Sequence, residues 1–139
     1  MYGQILVAVD GSEHASTAVT HAINLTDRYD ATLHALYVIE TRTAYDNAII
    51  DPDERRAALR EDGERELAEV RERAENEGIE VRTAIDEGAP PEEILAYIDE
   101  QGIDAVCMGE RGRSDFKTVL LGSATETVIH ETDIPVVVV

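Results

Sequence analysis

Apolar runs and amphipathic stretches alternate along this chain from end to end. Ile5-Leu6-Val7-Ala8-Val9 is a continuous apolar run, the pattern of a strand buried on both faces. It breaks at Asp10-Gly11-Ser12, where Ser12 is a good helix N-cap. Ala15, Ala18, Val19, Ala22 and Ile23 then recur at helical spacing and predict a helix over 13–28, with Asp30 at the turn. Leu33 to Ile39 predicts a second strand. Residues 40–53 have no clean period and read as a loop or a partly helical excursion. Pro52 sits near the start of a long charged helix running to about Glu77, with the thin stripe Leu59, Leu67, Val70, Ala74 and with Gly78 as its C′ residue. Ile79 to Ile85 alternates as a half-buried or edge strand does. Pro90-Pro91-Glu92-Glu93 opens another helix, with Ile94, Leu95 and Ile98 inward and Gly102 at its close. Ala105–Met108 is a short buried strand, a helix follows from Ser123 to about Glu131, and Pro135–Val139 is the last strand.

Five strands alternating with four helices imply a parallel sheet with right-handed crossovers, covered on both sides. The expected architecture is a doubly wound, flavodoxin-like and Rossmann-like α/β/α sandwich in a single domain over 1–139, with strand order 3-2-1-4-5. Ligands of such sheets bind beyond the carboxyl ends of the strands, where strand order reverses, here between the first and fourth strands. Asp10-Gly11-Ser12 follows the first strand. Gly109-Glu110-Arg111-Gly112 follows the fourth and leads, past Lys117, to Gly122-Ser123. Glycines there let the backbone turn and approach a ligand closely. Ser123-Ala124-Thr125-Glu126 reads as a capping box, so a helix start with unpaired N–H groups and a positive dipole end would face the same crevice.

Charge changes the picture of partners. Thirty acidic residues against 12 Lys and Arg give a net charge of −18. Duplex nucleic acid would be repelled by such a surface. Self-repulsion of this density is screened by salt, which suggests a salty cytosol such as that of a halophilic archaeon; an ordinary acidic protein with solvated helix faces is the alternative. No apolar run approaches the roughly 20 residues of a membrane span. No signal-peptide pattern precedes the first strand, and the lone Cys107 forms no internal disulfide, so a cytoplasmic protein is expected. Cys107 reads as a core residue, and His14, His21, His34 and His130 have no metal-ligand spacing. A phosphate-accepting receiver domain lacks its clustered acids and terminal lysine here. No G-x-G-x-x-G follows the first strand and no GxxxxGK[ST] occurs, which excludes a Rossmann dehydrogenase and a P-loop enzyme.

The pattern Gly109-x2-Gly112-x9-Gly122-Ser123 after Met108 resembles that of the ATP-binding subclass of the universal stress protein family. Ile5 to Ser12 is similar to that family's opening strand and turn, and Leu121-Gly122-Ser123 with Ile134-Pro135-Val136-Val137-Val138-Val139 is similar to its ending. The likeness covers the whole chain. It implies an adenine nucleotide alpha hydrolase-like domain that binds ATP and works as a homodimer through Val136–Val139, with a downstream protein partner the sequence does not name. Asp10 would touch the adenine or ribose region. Val38, Ala8 and Val9 would line the adenine pocket, and Met108 would border it. Gly109, Gly112 and Gly122 would bring N–H groups to ribose and phosphates. Ser123, with the N–H groups of Ala124 and Thr125, would hold the terminal phosphates. Mg2+ or Mn2+ would bridge phosphate oxygens, its shell otherwise water.

Each residue also has a plainer role open to it. Asp10 can cap the first helix through its turn, and the glycines can serve loop geometry alone. Arg111, Arg113 and Lys117 suggest counter-charge for phosphate, yet Glu110 and Asp115 lie among them. Glu110 departs from the family pattern, where the position is usually small, and keeps a non-nucleotide interaction module of the same fold as the alternative. No general base stands beside an attacking water, so at most slow or partner-assisted hydrolysis is expected.

Overall fold

The computed structural model of the protein describes residues 2–40, 51–110 and 122–139. The chain runs β1 (Gln4–Val9), α1 (Glu13–Tyr29), β2 (Thr32–Glu40), α2 (Pro52–Asn76), β3 (Val81–Gly88), α3 (Pro90–Gln101), β4 (Ala105–Met108), α4 (Ser123–Glu131) and β5 (Val136–Val138). The strands form one five-stranded sheet in the order β3-β2-β1-β4-β5, and every pairing is parallel. That is the order expected from the alternation of strand and helix. The expectation of a loop or helical excursion between β2 and α2 falls on residues 41–50, outside the described residues.

Local chemistry sets the helix ends. The Ser12 hydroxyl accepts from the Ala15 N–H at 3.1 Å and caps α1, while Asp30 closes it in the left-handed region at φ 52°. Asp51 caps α2 by accepting from the Asp53 N–H at 3.0 Å. Beyond α2, the Ile79 N–H returns to the Ala74 carbonyl at 3.0 Å. Ile79 therefore belongs to the helix exit, and β3 begins at Val81 rather than at Ile79. It runs on to Gly88 because β2 offers partners from Leu33 through Glu40.

Alternation divides the sheet into two faces. Ile5, Val7, Val9, Leu33, Ala35, Tyr37, Ile39 and Cys107 pack under α1 and α2 with Ala18, Val19, Ala22, Leu67, Val70 and Ala74. Leu6, Leu36, Val106 and Met108 pack under α3 and α4 with Ile94, Tyr97, Ile98 and Val128. Each Val, Leu, Ile or Met among them taken fully out of water contributes roughly 1.5–3 kcal/mol, and each Ala less. Gly63 is an unforeseen member of the α2 stripe. A Cβ there would lie 2.7 Å from the Tyr37 ring, so the helix accepts a residue that costs about 1 kcal/mol in propensity in order to lie flat on the tyrosine. Among the described residues, no helix is long and apolar enough to cross a membrane.

Candidate functional site

A cleft of about 590 Å³ opens at the carboxyl ends of β1, β2 and β4, where the strand order reverses. Its size falls within the roughly 300–1,000 Å³ of small-molecule sites. Of the residues singled out in the sequence, Ala8, Val9, Asp10, Val38, Met108, Gly109, Gly122, Ser123, Ala124 and Thr125 line this one cleft. Arg111, Gly112, Arg113, Asp115 and Lys117 lie outside the described residues.

Asp10 stands on one side. One carboxylate oxygen accepts from the Ser12 N–H at 2.9 Å, the turn that positions α1. The side chain remains partly exposed and borders the cleft. Turn-forming and cleft-lining are thus compatible roles.

The opposite side differs from the capping box read in the sequence. Gly122, not Ser123, is the N-cap of α4, and no side chain caps the helix. The cause is a shift of one residue in the first helical bond: the Gly122 carbonyl accepts from the Glu126 N–H at 3.0 Å, and the Gly122 N–H donates to the Glu110 carbonyl at 2.8 Å. Ser123 becomes the first helical residue, its hydroxyl exposed rather than folded onto the helix start. The first-turn amides, which have no intrahelical acceptor, and the positive end of the helix dipole are therefore presented at the cleft.

Two neighbours fix that helix start. Buried Thr125 donates its hydroxyl to the Gly109 carbonyl at 2.9 Å. Gly109 in turn lies against α1: a Cβ on it would sit 2.7 Å from His14 Cβ and 2.9 Å from the His14 carbonyl carbon. Backbone cannot yield as a flexible side chain does. The glycine after β4 is thus required by the packing of α1, a cause the sequence reading placed second to ligand approach.

Sequence reasoning missed much of the wall. Leu36, Tyr37, Ile39, Glu40 and Leu59 line the β2 side, Ala15 the α1 side, and Ala89, Pro90, Pro91 and Ile94 close the cleft from α3. Pro90-Pro91 was legible as a helix start, but its position across the crevice follows only from the crossover after β3. Among the described lining residues the charged side chains are Asp10 and Glu40, both acidic. Among the described residues, the feature of the cleft that attracts an anion is the helix start. No group of three or more His, Cys, Asp or Glu among the described residues is placed to hold a metal ion. Cys107 is fully buried in β4, and burial pushes its thiol up to about 11, so it is an uncharged core residue at neutral pH.

The parallel sheet, its two helical layers and a ligand-sized cleft at the reversal of strand order define a doubly wound α/β domain of the switch-point type. The model of the universal stress protein family matches residues 1–139, and the chain belongs to that family. Universal stress protein MJ0531 of Methanocaldococcus jannaschii is 32% identical over 140 residues, spanning 100% of this chain and 82% of that protein. The solved structure of MJ0577, from the same archaeon, superposes with a TM-score of 0.89 at 32% identity, covering 100% of this chain and 96% of that one. A universal stress protein solved in complex with cAMP superposes with a TM-score of 0.72 at 24% identity, over 99% of this chain and 96% of that chain, which shows the shared fold.

Proposed function

We propose that the cleft binds ATP and that the protein is a cytoplasmic, nucleotide-dependent stress-response module. The observation that carries this reading is the uncapped start of α4 at Gly122-Ser123, facing Asp10 across the switch point. Adenine would lie among Ala8, Val9, Val38 and Met108, with the phosphates at the amides of Ser123, Ala124 and Thr125. Gly112, Arg111 and Arg113 would complete the phosphate end. Mg2+ or Mn2+ would be held by phosphate oxygens and water, since the described residues offer no cluster for it. The role is binding rather than turnover, with hydrolysis slow or dependent on a partner. Calorimetric titration with ATP tests this. Binding that is lost in Gly122→Leu, with the fold intact by circular dichroism, is expected; no binding by the parent protein at molar salt ends the reading.

The acidic lining from Asp10 and Glu40, with Glu110 beside Gly109, favours a second reading, a non-nucleotide interaction module of the same fold. Gly122→Leu would then leave partner binding unchanged.

Assembly and solvent belong to the same proposal. β5 is a sheet edge with Val138 exposed, and Ile129 of α4 is exposed too. An edge of this kind calls for a partner, and a homodimer through Val136–Val139 supplies one. The net charge of −18 fits a salt-rich cytosol. The unfolding midpoint is expected to rise from low to molar salt as repulsion is screened. A midpoint that does not move refutes the salt adaptation and leaves the cleft untouched.

A further inference from the structure

One polar chain crosses the otherwise apolar layer between the sheet and α3. His34 of β2 is 1% exposed. Its Nε2 lies 2.6 Å from Gln4 Oε1 on β1, and its Nδ1 lies 2.7 Å from the Tyr97 hydroxyl on α3. The two rings meet edge-on, 5.6 Å apart at 74°. An amide oxygen only accepts, so Nε2 carries the ring proton and Nδ1 accepts from Tyr97. Neutral His34 satisfies both nitrogens. Protonation of His34 rearranges the chain: both nitrogens then donate, the Tyr97 hydroxyl no longer donates to Nδ1, and its hydrogen must find another acceptor from a residue only 8% exposed.

The charged groups around His34 do not rescue the cation. Arg82 of β3 is its register partner. Glu80, just before β3, accepts from the Thr32 hydroxyl at 3.0 Å. Asp104, before β4, accepts from the Gly3 and Gln4 N–H groups at 2.8 and 2.9 Å. Asp86 of β3 acts on Tyr97 rather than on the imidazole. Burial first, then Arg82, hold His34 below the ordinary histidine range against the opposing pull of Glu80. Burial holds the Tyr97 hydroxyl above its own usual range, so it stays a donor.

This chain sits directly behind the cleft. Leu36 and Val38 follow His34 on the same face of β2, and Pro90, Pro91 and Ile94 stand on α3 ahead of Tyr97; all five line the cleft. We propose that Gln4–His34–Tyr97 is an acid-sensitive latch that clamps α3 to the sheet while the imidazole is neutral and, on protonation, releases α3 and the Pro90–Ile94 wall of the cleft. Its effect on ligand affinity rests on the nucleotide reading above.

A histidine whose folded-state value is lowered contributes stability above its unfolded value, about 6.5, and that contribution falls away as pH drops below it. Carboxylates also titrate on the acid side, so His34→Gln is the reference that isolates the latch. Nitrogen-15 NMR of the parent protein needs no variant. The expected result is a neutral Nε2–H tautomer persisting below the ordinary histidine range, with Leu36 and Ile94 methyl signals shifting as His34 protonates. An imidazole that titrates at the ordinary value, or without movement of those methyls, overturns the latch. ATP titrations at about pH 7.5 and at a pH below the His34 midpoint that the NMR titration reads then report the coupling, with the parent expected to lose on the order of tenfold more affinity than His34→Gln. Equal losses overturn the coupling to the cleft. Absence of ATP binding by both proteins at the higher pH instead overturns the nucleotide reading, while the NMR result still decides the latch.

Discussion

On the face of the sheet under α1 and α2, each inward position of β1 and β2 is apolar or aromatic and buried, from Ile5, Val7 and Val9 to Leu33, Ala35, Tyr37 and Ile39. On the face under α3 and α4, Leu6 and Leu36 share the interior with His34, and the layer stops short at the strand ends, where the cleft opens. The cleft is bordered at the strand ends by Val9, Tyr37 and Ile39 of the first face as well as by Leu36 and Met108 of the second, but the second face also takes the His34 imidazole into its interior. The first supplies most of the hydrophobic stabilisation and holds the register. The second gives up contact at one end and tolerates a polar group at the other, leaving two features that respond to what surrounds them.

Paired truncations put that contrast to the test most strongly. Leu33 and Leu36 are both 0% exposed, one on each face. Leu33→Ala leaves a dry void and is expected to cost about 3–5 kcal/mol. Leu36→Ala enlarges a cleft that water already reaches, and about 2–3 kcal/mol is expected. Equal losses in denaturant midpoint would show that the two faces are packed alike. Next comes alkaline stability, which probes the dryness of the first face. Burial raises the Cys107 thiol from 9.0 to about 11. A raised folded-state value contributes stability below the unfolded value and loses it as pH climbs through the folded one, here between about 9 and about 11. Roughly 2–3 kcal/mol should fade over that window. Cys107→Ala should flatten the slope, and a native thiol that reacts readily with an alkylating reagent at neutral pH would contradict the burial. The smallest effect concerns the second face. Thr125→Val removes the hydroxyl bonded to the Gly109 carbonyl and should cost about 1 kcal/mol, read by thermal unfolding. If the cleft is a nucleotide site, it should weaken ATP more than that loss of stability explains, because it loosens the start of α4.

Much of this was legible from local pattern. Apolar runs located the strands, Ser12, Asp30 and Gly102 marked helix ends, and the half-alternating Ile79–Ile85 run pointed to the edge strand that β3 is. What escaped depends on contacts between distant segments. Gly63 looks like a weak point in a helix until Tyr37 is known to lie beneath it. The shift of the α4 cap from Ser123 to Gly122 is set by the Glu110 carbonyl, which no local motif reports. The Pro90–Ile94 wall and the His34–Tyr97 pair require the crossover that carries α3 over β2. Gly109 was noticed for the right reason of close approach, but the nearest approach is that of α1.

The bonds around Glu110 have one more consequence. Its N–H donates to the Val139 carbonyl at 2.6 Å, the Val139 N–H donates to the Met108 carbonyl at 3.0 Å, and its own carbonyl receives the Gly122 N–H at 2.8 Å. The end of β4, the end of β5 and the start of α4 therefore meet in one hydrogen-bonded node at Glu110. That node acts as a rivet: two strands and a helix are pinned through one residue's main chain, whatever side chain position 110 carries.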